Sequence, residues 1–143
     1  MRHDLDRLIK EHEDICRLAE RLIAAAEASP RDLDDILMLR TELAVVLHAH
    51  LSKEDSFLYE KSMRENGTDF VAALDKFETD YAALTGDWQL YLEEWTADVI
   101  AEDIDHFCAT TVEIIARLQA RVAHENGLLY PLALQQGRIK LRA

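Results

Sequence analysis

Residues 5–28 read LDRLIKEHEDICRLAERLIAAAEA. Leu5, Leu8, Ile9, Ile15, Ala19, Leu22, Ile23 and Ala26 recur at steps of about three and four, the period of a helix with one apolar face. One position on that face breaks the rule. His12 stands between Leu8 and Ile15, where the stripe asks for a hydrocarbon. Ser29-Pro30 then interrupts the pattern, and Pro30 suits the first turn of a following helix.

The same period returns along the rest of the chain. A second helix is predicted from about 32 to 64, with Leu33, Ile36, Leu43, Leu47, Leu51, Phe57 and Leu58 inward, closed by Asn66-Gly67. A third starts at Thr68, an N-cap residue, and carries Phe70, Leu74, Phe77, Tyr81 and Leu84 up to an interruption at Gly86-Asp87. The stretch from Trp88 to Trp95 reads as a short helical connector. A fourth helix runs from about 96 to 130 on Ile100, Ile104, Phe107, Thr111, Ile115, Leu118, Val122 and Leu129, with Pro131 bending or ending it. The basic tail, about 135–143, is expected to be loose. Four amphipathic helices with short connections predict an all-α fold, an up-down-up-down four-helix bundle, in one domain over 1–143.

Composition agrees and removes several function classes. Four Gly and two Pro are too few for the many turns of a sandwich or barrel. Apolar residues make up 49% of the 143, enough for a core. Sixteen Lys and Arg against 28 Asp and Glu give a formal charge of −12, which repels phosphate backbones and anionic lipid. Neither nucleic acid nor a membrane is an expected partner. No apolar run of membrane length occurs, and the first residues hold no apolar signal segment. Cys16 and Cys108 form no C-x-x-C pair and sit among apolar residues, as buried free thiols do. The expected compartment is the cytoplasm.

The function is carried by ionisable residues on apolar stripes, since burying such a group costs several kcal/mol unless it is paired or binds a metal. His12 is one. His50 and Glu54 continue the second stripe, and Glu125 lies on the fourth between Val122 and Leu129. His50 and Glu54 are four apart, so one helix can offer both to one ion. Imidazole with carboxylate suits iron, manganese or zinc. The chain also repeats itself: His50-Leu-Ser-Lys-Glu54 leads to Leu58-Tyr59, and Arg121-Val-Ala-His-Glu125 leads to Leu129-Tyr130. Arg121 takes the place that His50 has in the first copy. His48 and His124 fall one step off the stripes, with His124 the nearest spare ligand. His106 and Asp103 lie towards the other end of the fourth helix and read as structural.

Leu8-Ile-Lys-Glu-His12-Glu-Asp-Ile15, His50-Leu-Ser-Lys-Glu54 with Phe57-Leu58-Tyr59, and His124-Glu125-Asn-Gly-Leu-Leu-Tyr-Pro131 together resemble the hemerythrin family, the His-His-Glu cation-binding domains. The resemblance covers nearly the whole chain. It implies a four-helix bundle with a di-iron centre that binds oxygen or nitric oxide, stores or senses iron, or senses redox state. It further implies that His12 and His50 hold one iron and that Glu54 and Glu125 bridge to a second. The ligands expected for that second iron are missing. The third helix has no histidine, with Phe77 or a neighbour in the expected place, and Arg121 replaces the histidine of the fourth.

Two functions are therefore in view. One is a mononuclear iron site of His12, His50, Glu54 and Glu125 that binds or senses a small diatomic ligand or iron itself. The other is a metal-free bundle in which Arg121, a fixed cation, balances the glutamates and the surface serves a homodimer or protein partner. Trp88, Tyr91 and Trp95 are its candidate contacts. A ferritin-like oxidase would need Glu-x-x-His pairs, and none occurs. No residue pattern argues for an enzyme.

Overall fold

The computed structural model describes residues 3–58, 68–131 and 139–140. Helix α1 spans Leu5–Glu27 and α2 spans Leu33–Leu58. Helix α3 spans Thr68–Glu94, α4 is the short Ala97–Glu102, and α5 spans Ile104–His124. A single π-helical turn, Glu125–Leu129, continues α5. The result is the expected all-α bundle, with α1 packed against α2 and α5, and α3 against α5. No helix among the described residues is long and apolar enough to cross a membrane.

Among the described residues the predicted stripes supply most of the core; Leu5, Phe57, Leu58, Phe70, Leu74 and Leu129 have side chains outside the described residues. Leu8, Ile15, Leu22, Ile36, Leu43, Phe77, Phe107 and Ile115 are all almost completely buried. Each such side chain contributes about 1.5–3 kcal/mol by leaving water. Asp32 starts α2: its side chain accepts from the Asp35 backbone N–H at 3.2 Å and its carbonyl accepts from Ile36 at 3.1 Å. Pro30 thus lies in the link ahead of the helix, not in its first turn.

Three boundaries differ from the sequence reading. Helix α3 runs straight through Gly86-Asp87, so the Trp88–Trp95 stretch is mostly its C-terminal part. Phe77, Leu84, Trp88, Tyr91 and Trp95 form one buried stripe at steps of three, four and seven. Its burial outweighs the roughly 1 kcal/mol that a helical glycine costs. The fourth helix is divided instead, at Asp103, which leaves helical geometry (φ −149°, ψ 72°) and caps α5 by accepting from the His106 N–H at 3.1 Å. Asp competes with the helix in this way by bonding its own neighbouring backbone. Finally, His3–Asp4 pairs in parallel with Ile139–Lys140, so part of the tail expected to be loose is tied to the start of α1.

The aromatic residues considered as surface contacts face inward. Tyr91 stacks between Trp88 (5.3 Å) and Phe107 (6.1 Å), and Trp95 meets Phe107 at 5.4 Å. Arg40 lies 5.6 Å over both Tyr91 and Phe107 and donates to the Trp95 carbonyl at 2.8 Å. The Thr111 hydroxyl donates to the Phe107 carbonyl, so the Tyr91 hydroxyl donates to Thr111 at 2.7 Å. These rings hold α2, α3 and α5 together.

Both cysteines are free. Burial pushes each thiol above its ordinary range, reinforced at Cys16 by Glu20 and opposed at Cys108 by Arg31. The thiolate is the reactive form. At pH 8 a disulfide reagent is expected to label the native chain at least about tenfold more slowly than the unfolded chain. Equal rates would contradict the burial.

Candidate metal centre

Three helical segments bring the stripe-breaking residues to one point. His12 comes from α1, His50 from α2 and Glu125 from the π turn, and all three are 2% exposed or less. One ligand atom from each lies within 4.8 Å of the other two. His12 Nε2 is 2.9 Å from His50 Nε2 and 2.9 Å from Glu125 Oε1, and His50 Nε2 is 3.8 Å from that oxygen. The side chain of Glu54, the fourth predicted ligand, lies outside the described residues, although its backbone belongs to α2.

The far side of each imidazole decides what this arrangement can hold. His50 Nδ1 is 2.8 Å from Glu11 Oε1, and His12 Nδ1 is 2.7 Å from Asn126 Oδ1. Both oxygens are acceptors, which suits a proton on each Nδ1. With that tautomer a neutral ring turns its Nε2 lone pair to the centre, where a cation can take it; a second proton on His12 would instead serve Glu125 Oε1. Two neutral imidazoles oriented from behind by an acid and an amide, with one carboxylate, are a donor set for a divalent first-row metal.

Glu125 faces two ways. Its Oε1 belongs to the histidine cluster, while its Oε2 is 3.7 Å from Arg121 Nε. Arg121 is buried, lies 5.2 Å over the Phe77 ring and donates from Nη1 to Thr85 Oγ1 at 3.4 Å. Arg121 stands where the resemblance expects one histidine of a second iron, and Phe77 is at or next to the place of the other. They meet in space as a cation–π pair, and the guanidinium supplies a positive charge beside the second oxygen of Glu125.

His124, His48 and His106 stand apart from this centre. His124 rests edge-on against Phe77 (5.4 Å) and Tyr81 (5.6 Å), towards α3. His48 is exposed, and His106 packs on Trp95 at 5.2 Å beside the α5 cap. Neither His48 nor His106 joins the metal cluster.

Sequence reasoning missed three residues here. Glu11 and Asn126 carry no periodic signal, because they act from the rim. Tyr130 did leave a trace, the repeated Glu-to-Tyr spacing of five. Its hydroxyl is 3.1 Å from His12 Nε2 and 3.2 Å from His50 Nε2, and the residue is fully buried. Five α-helical residues would set Tyr130 about 140° around the axis from Glu125. The π turn removes most of that angle, because the Tyr130 N–H bonds the Glu125 carbonyl and so stacks one residue over the other. Asn126-Gly127, weak α-formers, occupy that turn.

No curated protein and no solved structure gives a match to this chain. A family model, the hemerythrin HHE cation binding domain, matches residues 3–133. With His12, His50 and Glu125 gathered as that name requires, the chain belongs to the hemerythrin HHE cation-binding family.

Proposed function

We propose that this protein is a non-enzymatic metal-binding module. It holds one iron ion through His12, His50 and Glu125, with Glu54 as the further ligand, and uses it to bind or sense oxygen, nitric oxide or iron. The observation that carries this reading is the pair of facing Nε2 atoms, 2.9 Å apart, with an acceptor oxygen behind each ring. Bound there, the metal would supply open coordination positions for a small ligand. The test is elemental analysis of untagged protein after iron loading. One ion per chain, lost in His12→Ala, is the expected result; no metal at all would sink the proposal.

Arg121 beside Glu125 favours one ion over two. It also keeps a second reading in play, a metal-free bundle in which the arginine alone balances the carboxylate. The two part company at one substitution. In the metal-binding reading, Arg121→His, and more fully Arg121→His with Phe77→His, raises the metal content from one ion towards two. In the metal-free reading neither variant gains any.

A further inference from the structure

The geometry points to Tyr130 as a direct ligand, its phenolate oxygen joining His12, His50 and Glu125 in a set that selects ferric iron. This rests on the metal reading above and adds to it a further donor and an oxidation state.

The first support is position. The Tyr130 oxygen and the two Nε2 atoms form a triangle with sides of 2.9, 3.1 and 3.2 Å. Donors about 2.1 Å from one ion and at right angles to each other lie about 3 Å apart. The phenol is held there: its ring stacks on His12 at 5.0 Å and 15°, and nothing of Tyr130 reaches solvent. The backbone is adapted to it as well, since only the π turn aims Tyr130 at the Glu125 side of the helix.

The second support is charge balance. When Fe(III) enters, the Tyr130 O–H bond breaks, an O–Fe bond forms and the proton leaves to the buffer; no electron moves, because the iron is supplied already oxidised. Fe(III) with a phenolate carries the same net charge as Fe(II) with a neutral phenol, whatever carboxylates share the ion. Ionising Tyr130 thus keeps the third charge of ferric iron from adding to a buried site that already has Arg121 beside it. A thiolate or thioether would favour softer metals, whereas this set is imidazole nitrogens and anionic oxygens.

The experiment titrates the full chain with Fe(III) supplied as its nitrilotriacetate complex, and separately with Zn(II). The wild type is expected to take one Fe(III) with a visible phenolate-to-iron charge-transfer band and phenolate ring modes in resonance Raman. Tyr130→Phe keeps the stacked ring. It is expected to lose the band and at least about tenfold in ferric affinity while still taking one Zn(II) per chain. A ferric wild type without the band or the ring modes overturns Tyr130 ligation and leaves the three-residue site intact. So does a band that survives in Tyr130→Phe. The wild-type spectra decide the point even if the variant does not fold. A wild type that takes up neither ion overturns the metal reading and this inference together.

Discussion

Glu125→Ala is expected to lower the stability of the metal-free protein by about 3 kcal/mol, the scale of breaking a buried ion pair from one side. Glu125 is 1% exposed and reaches both His12 and Arg121. Its removal leaves the Arg121 guanidinium beside Phe77 without the carboxylate that offsets its burial. A urea midpoint shift at unchanged slope reads the effect. The double variant Arg121→Met, Glu125→Leu removes both charges and is expected to recover most of the loss, because an apolar pair of similar volume avoids the desolvation cost. A loss of about 1 kcal/mol or less, the value of an exposed pair, would mean that the two charges are not coupled.

The second large effect is stabilisation by metal. An ion that binds the folded chain and not the unfolded one adds about 2.7 kcal/mol when present at a hundred times its Kd. The wild type is expected to gain this on iron addition. His50→Ala is expected to gain nothing and to retain no ion. Its imidazole supplies one of the two facing nitrogens and is the one anchored by Glu11. Glu11→Ala separates orientation from ligation: the ion stays, and its affinity falls by about 10- to 100-fold. Thermal melts with and without iron check all three chains. Equal metal-induced shifts in wild type and His50→Ala would place the ion elsewhere.

Most of the fold was legible in the chain because helix formation with one buried face is a local, periodic property. Among the described residues, the stripes of α1, α2 and α5 supply much of the core found in the structure. The boundaries read less well. Gly86-Asp87 looks like a stop, yet the stripe from Phe77 to Trp95 carries the helix through it, since burial on both sides outweighs local preference. Asp103 looked unremarkable and breaks a helix, because its carboxylate has the His106 N–H to accept from.

The sequence by itself determined which ionisable residues would be buried. His12, His50 and Glu125 sit on apolar stripes, and a stripe has one side. It also showed Arg121, and a third helix without histidine, where the family resemblance implies the ligands of a second iron. Only the tertiary structure decided how those side chains meet. Helical periodicity gives the angle of a residue about its own axis but not the rotation of one helix against the next. The 2.9 Å approach of the two Nε2 atoms, the rim oxygens behind them and the seat of Arg121 on Phe77 all depend on that rotation. The place of Tyr130 depends on a backbone bond five residues back, a widening that no 3.6-residue pattern contains.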